Sequence, residues 1–195
     1  MKYIHIIKFL LMHDLTHLKE CWLVELTSGK KISIYRIIKS YIKTRSPQKN
    51  YLFWWRLANE IYIHGNDKQR NVAKKIQSKL ISKFGIDIML GAKIGKNLSL
   101  VHPYSITINK NVIIGENFTI HQNVTIGIGH EPVNIIIGDN VYIGANSVIL
   151  GGKIKIGNNV KIGAMSFVNK DVPDNCTVYT QKTNIIILND VVEHY

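Results

Sequence analysis

Three histidines stand in the part of the chain that could carry chemistry: His102, His121 and His130. The other five (His5, His13, His17, His64 and His194) lie before it or at the far C-terminus. An unperturbed imidazole titrates near pH ~6.5, so it can take a proton from an attacking hydroxyl that is itself barely ionised at neutral pH. His102 follows the aliphatic pair Leu100-Val101, which puts it at a strand end or corner. Taken alone, that position suits a surface or capping histidine better than a base. Asp87 precedes it by fifteen residues, nearly one turn of the repeat described next. A carboxylate at that spacing could stand beside the imidazole and fix its tautomer, or it could equally cap a first turn. Cys21 and Cys176 fit neither a metal-ligand spacing nor a nucleophile motif; they suggest a reduced compartment rather than a disulfide framework.

What must position these groups is a repeat. Ile94-Gly95-Lys96-Asn97, Ile114-Gly115-Glu116-Asn117, Ile137-Gly138-Asp139-Asn140, Ile143-Gly144-Ala145-Asn146, Ile156-Gly157-Asn158-Asn159 and Ile162-Gly163-Ala164-Met165 restate one phrase. Aliphatic residues recur every six positions, at 94, 100, 106, then 114, 120, 126, then 137, 143, 149, then 156, 162, 168. Period six, with Gly and Asn beside the aliphatic residue, suits short strands separated by tight turns. Three strands and three bends make a triangular coil with the aliphatic residues pointing inward. One coil cannot bury its own apolar face, so the coils must stack. The grid breaks by two residues between Ile106 and Ile114, by five between Ile126 and Ile137, and by one near Gly151-Gly152. Such insertions map to corner loops, often on a working face.

Before the repeat, from Met1 to Phe84, the periodicity is helical. Ile34, Ile37, Ile38, Tyr41 and Ile42 share one face, and Val72, Ile76, Leu80 and Ile81 another. Thr44-Arg45-Ser46-Pro47 breaks the pattern, because a residue before proline disfavours the helical region. Three or four helices ending near Gly85 are expected. The cluster Tyr51-Leu52-Phe53-Trp54-Trp55 reads as a packed helix rather than a nucleic-acid stacking platform. Ile4 to Met12 is too short for a membrane span and has no signal-peptide cleavage site, so it reads as a helix packed on protein, with a membrane surface as the lesser reading. The chain thus divides into an α-helical region (1–84), a repeat domain (85–180) and a tail (181–195). With 46% hydrophobic and 19% charged residues it can build a core, and its net charge of +12 fits either an anionic partner or a solvated basic surface.

The repeat resembles the hexapeptide-repeat acyltransferases, which implies a left-handed parallel β-helix over about 85 to 178. Gly85-Ile86-Asp87-Ile88, Gly91-Ala92-Lys93-Ile94-Gly95 and His121-Gln122-Asn123-Val124-Thr125-Ile126-Gly127 are similar to serine acetyltransferases. Met89-Leu90 departs from the His-Pro of that branch. The stretch Val101-His102-Pro103-Tyr104-Ser105-Ile106-Thr107-Ile108-Asn109-Lys110-Asn111 instead resembles O-acetyltransferases of capsule, exopolysaccharide and colanic-acid clusters. The resemblance implies His102 as the general base and Asp87 as its partner. It implies His130 and Gln122 at the acceptor, with His121 structural. It further implies acetyl-CoA as co-substrate, with no metal, lying along a groove between subunits. Gly127, Ala145, Ala164, Asn169 and Lys170 would line that groove, backbone N–H groups near Gly127 would hold the developing oxyanion, and Lys170 would meet the nucleotide phosphates. A homotrimer follows from a shared groove, with a hexamer left open.

The expected activity is acetyl-CoA-dependent O-acetylation of a sugar hydroxyl in surface-polysaccharide biosynthesis, with serine O-acetylation for cysteine synthesis as the alternative. A non-catalytic β-helical scaffold is the third reading, and nucleic-acid binding, resting on net charge alone, a distant fourth. His102, His121 and His130 lack the close pair that the zinc carbonic anhydrases on this scaffold require. A cytoplasmic location is expected, with the basic helical region able to bring the enzyme to the inner membrane face.

Overall fold

The structure is a computed structural model and describes residues 2–27, 46–127 and 134–181. Four helices precede the repeat among these residues: α1 (Lys2–Met12), α2 (Thr16–Thr27), α3 (Pro47–His64) and α4 (Asp67–Phe84). Their ends follow local chemistry. Ser46 caps α3 by accepting from the Lys49 amide, with Pro47 in the first turn, where no N–H is needed. Asn66 and Gln69 form a reciprocal capping box at α4. Gly85, at φ +63°, terminates α4 in the left-handed conformation open to glycine. The apolar face of Ile34 to Ile42 lies outside the described residues. On α4, Val72 and Leu80 are buried and Ile76 half-buried, but Ile81 turns to solvent at 37% exposure, because it lies a further 100° around the helix from Leu80.

Helix α3 closes the open end of the repeat. Tyr51 and Trp55 are fully buried, as packed helical aromatics should be. Trp55 Nε1 donates to the Ile88 carbonyl at 2.8 Å, and Tyr51 Oη accepts from the Ile88 amide at 3.3 Å. One turn on, Asn59 Nδ2 donates to the Ala92 carbonyl at 3.0 Å while its Oδ1 accepts from the Gly91 amide at 2.8 Å. Arg56 donates to the carbonyls of Ile94 and Gly95 and to buried Glu25 of α2, which also accepts from the Leu98 amide. Burial works against the charged Arg56 guanidinium, but the adjacent Glu25 carboxylate, with Cys21 and Glu60 nearby, offsets it and the pKa rises. These bonds satisfy backbone groups that a bare first coil would leave unpaired.

The repeat is a parallel β-solenoid. Asp87–Ile88, Thr107–Ile108, Thr125–Ile126, Val148–Ile149 and Phe167–Val168 stack as sheet A. Lys93–Ile94, Ile113–Ile114, Asn134–Ile137 and Lys153–Ile156 form sheet B, and Ser99–Leu100, Thr119–Ile120, Tyr142–Ile143, Lys161–Ile162 and Thr177–Val178 form sheet C. The register puts Ile88, Ile108, Ile126, Ile149 and Val168 in one column. Ile108, not Ile106, therefore occupies the grid position, and the two-residue excess lies between Leu100 and Ile108 rather than after Ile106. The cause is the pleat: each rung turns both its second residue and the residue two before it inward, so Ile106 and Ile108 are both fully buried.

Candidate active site

The displaced insertion falls at the corner joining sheets C and A, and it contains His102. In later coils this corner follows a regular scheme. The Asn146 amide donates to the Gln122 carbonyl and the Met165 amide to the Ala145 carbonyl; one coil lower, the Asn123 amide donates to the Tyr104 carbonyl at 3.0 Å. Tyr104, Gln122, Ala145 and Ala164 are thus equivalent, as are Ser105, Asn123, Asn146 and Met165, which all hold φ between 51° and 59°. His102-Pro103 is the inserted pair. The corner stands out from the prism there, with the exposed His102 at φ 48° and a tight turn closed by the Tyr104 amide on the His102 carbonyl at 2.8 Å. The His102 imidazole makes no hydrogen bond among the described residues and is open to a group brought to it from solvent.

The residues singled out in the sequence separate onto two edges. His102, Gln122, Ala145 and Ala164 share the C–A corner. Gly127, Asn169 and Lys170 share the A–B corner, with Asn169 and Lys170 exposed. Sheet A lies between the two edges and carries Asp87 at its end, so it is the face that all these groups border. His130 lies outside the described residues. Gln122 Oε1 is buried with no hydrogen-bond partner among the described residues, a polar atom available to a ligand. Beside it, the half-buried His121 packs edge-on against Tyr142 with ring centres 5.0 Å apart, a structural contact. Above it the wall is low. A Cβ on Gly144 would meet the Ala164 amide nitrogen at 2.5 Å, so this corner tolerates only the smallest residue there.

Two findings correct or extend the sequence reading. The Gly127 amide donates to the Ile149 carbonyl at 2.9 Å and belongs to the coil ladder, while the amides that follow it, at 128–133, lie outside the described residues. Asp87 takes its hydrogen bond from Gln77 Nε2 of α4 at 2.7 Å; none joins it to His102 among the described residues. Gln77 also donates to the Ile88 carbonyl at 3.1 Å, and its own Oε1 is buried without a partner. Together Lys74, Gln77, Asp87, Met89 and Lys110 line a cavity of about 350 Å³ between α4 and the first coil. Gln77 was missed because nothing local marks it: it lies on a helix ten residues from the aspartate it holds. No group of three or more His, Cys, Asp or Glu suited to a metal is present among the described residues.

Stacked six-residue rungs on three parallel sheets, closed at one end by helices, define a hexapeptide-repeat β-solenoid. The family model described as bacterial transferase hexapeptide (six repeats) matches residues 134–170. A protein named as the colanic acid biosynthesis acetyltransferase WcaB, from Escherichia coli (strain K12), is 44% identical over 108 residues, 54% of this chain and 65% of that protein. A serine acetyltransferase from Staphylococcus epidermidis is 44% identical over 126 residues, 63% of this chain and 57% of its own length. The chain therefore spans less than two thirds of the length of either curated relative. The crystal structure of Neisseria gonorrhoeae serine acetyltransferase in complex with serine superposes with a TM-score of 0.70 at 30% identity, over 88% of this chain and 70% of that one. This chain belongs to the hexapeptide-repeat transferase family.

Proposed function

We propose that the protein is an acetyl-CoA-dependent O-acetyltransferase acting on a sugar hydroxyl in surface-polysaccharide biosynthesis, with His102 as general base. The observation that carries this reading is the inserted His102-Pro103 corner, an exposed imidazole without a hydrogen-bond partner among the described residues, beside the column Gln122, Ala145 and Ala164 in a chain of this family. The imidazole takes the proton of the acceptor hydroxyl as its oxygen attacks the thioester carbonyl. The C–S bond then breaks, and the departing thiolate takes the proton back from the imidazolium. No covalent intermediate on the enzyme is needed. A positioned base contributes about 10²- to 10⁴-fold, and holding donor and acceptor together adds an entropic share. Asp87, anchored by Gln77, supports the charge that forms on the imidazole. Acetyl-CoA lies along the groove between adjacent copies in a trimer, with Ala145 and Ala164 as the low wall and Lys170 toward the nucleotide phosphates. The reaction runs in the cytoplasm, where the thioester is supplied.

The likeness to WcaB favours a sugar acceptor, as does Met89-Leu90 where serine enzymes carry His-Pro. The second reading, L-serine as acceptor, is supported by the staphylococcal relative and by the serine-bound neisserial structure. Release of the CoA thiol, measured with L-serine and with a panel of hexoses, 6-deoxyhexoses and uronic acids, separates the two. Turnover on a sugar well above that on serine is the expected result. A serine rate far above the His102→Ala background would assign the second reading instead, and no turnover on any acceptor would favour a non-catalytic scaffold.

A further inference from the structure

The net charge is not spread over the molecule. Residues 1–84 hold 17 Lys and Arg against 5 Asp and Glu, whereas residues 85–195 hold 8 of each. All of the +12 therefore belongs to residues 1–84, and residues 85–195, which include the solenoid that carries the candidate site, sum to zero. Helix α1 adds a second feature. Ile6 and Phe9 face inward and are buried, yet Ile4, Ile7, Leu11 and Met12 are 53%, 55%, 80% and 77% exposed. Ile4, Ile7 and Leu11, spaced by three and four residues, form a single stripe on the outer side of the helix. Lys8 is exposed beside that stripe, and Lys79 and Lys83 of α4 border a cleft of about 230 Å³ into which Ile6 of α1 also projects.

We infer that α1 is an interfacial helix that seats the enzyme on an anionic lipid surface, with Ile4, Ile7, Leu11 and Met12 entering the acyl boundary and the surrounding lysines meeting lipid phosphates. Apolar insertion and basic attraction are the two signals that together give lasting but reversible membrane attachment. Each feature narrows the partner. A nucleic acid would match the charge but would have no use for four exposed aliphatic side chains. A second copy of the same basic region would cover the stripe but would bring like charges together. An anionic bilayer satisfies both. No helix among the described residues is long and apolar enough to cross a membrane, so α1 lies on the surface. The inference rests on α1 and the charge distribution and holds whichever acceptor the enzyme uses.

Co-sedimentation with vesicles tests it. At low ionic strength the full chain should be retained by equimolar phosphatidylglycerol and phosphatidylcholine but not by phosphatidylcholine alone. Retention should weaken in molar salt. The double variant Ile7→Glu/Leu11→Glu should lower the partition coefficient at least about tenfold. Lys79→Glu/Lys83→Glu should lower it for anionic vesicles with an unchanged circular-dichroism spectrum. No retention of the wild type by anionic vesicles overturns the inference, as does retention indifferent to Ile7→Glu/Leu11→Glu. If light scattering shows instead that this variant halves the particle mass while vesicle binding persists, the stripe is a contact between copies and the inference fails.

Discussion

Two corners of the same prism solve the same backbone problem with different side chains. At the B–C corner, Asn97, Asn117, Asn140, Asn159 and Asn175 all sit at positive φ, between 54° and 64°. Each donates from Nδ2 to Oδ1 of the next, at 2.9 to 3.0 Å, in an unbroken ladder. Beside it a second ladder runs through the Asp139, Asn158 and Asp174 side chains, each accepting from a backbone amide one coil below. At the C–A corner the positive φ persists, but the ladder is reduced to Asn123 and Asn146, flanked by Ser105 below and Met165 above. Tyr104, Gln122, Ala145 and Ala164 stand there at the positions that Glu116, Asp139, Asn158 and Asp174 hold at the B–C corner, and His102-Pro103 is inserted just before Tyr104. Asparagine tolerates the left-handed region better than other side-chain-bearing residues, so Ser105 and Met165 hold that conformation at the two ends of this corner with less favourable side chains. The B–C corner ties successive coils together through side-chain amides, whereas the C–A corner has one such bond and exposes His102.

Substitutions on the two corners should therefore have opposite signatures. The largest expected effect is at the C–A corner: His102→Ala should lower kcat by about 10²- to 10⁴-fold with little change in melting temperature. At the B–C corner, Gly138→Ala should destabilise the protein by about 1–3 kcal/mol, because its Cβ would lie 2.9 Å from the Gly157 carbonyl carbon and the Asn158 amide nitrogen. A melting temperature lower by several degrees, with kcat intact, would fit. Asn140→Ala loses two ladder bonds and the residue type suited to φ 57°, for about 2 kcal/mol. Asn140→Gly keeps the conformation and should cost less, so equal losses would show that the ladder bonds rather than the backbone dominate. The smallest effect should be a gain: Met165→Asn relieves a left-handed Met at 55% exposure and can continue the ladder from Asn146, adding about 1 kcal/mol. If that change also raises KM for acetyl-CoA, the open edge beside Ala164 serves the donor.

A separate check concerns the helical cap. Burial pushes the Cys21 thiol up to about 11, with nearby Arg56 opposing it, while Cys176 is half-buried. In the folded protein at neutral pH, a thiol reagent should label Cys176 and reach Cys21 only on unfolding. Rapid labelling of both would mean that α2 and α3 open readily.

Much of this was legible in the sequence because the solenoid is periodic. Ile-Gly-x-Asn marks an inward aliphatic residue, a close coil contact and a positive φ in order, and each requirement acts locally. Gly85 and Ser46-Pro47 announced helix ends for the same reason. The slip was misplaced because Ile106-Thr107-Ile108 alternates inward, outward, inward, so either isoleucine satisfies the pattern and only pairing with Ile88 and Ile126 decides. Gln77 on Asp87, and Glu25 with Arg56 on Ile94 and Gly95, were invisible because each joins distant segments without any repeat. Ser147 was unexpected on an inward position; its hydroxyl donates to the Gly163 carbonyl at 2.9 Å, a polar bond inside the C–A corner.

The claim that the C–A corner supplies the base is tested most directly by chemical rescue of His102→Gly. With acetyl-CoA and the best acceptor from the panel, the variant should be nearly inactive, and added imidazole should restore CoA release in a saturable, concentration-dependent way. A His102→Gly enzyme that turns over at the wild-type rate without imidazole would contradict the account.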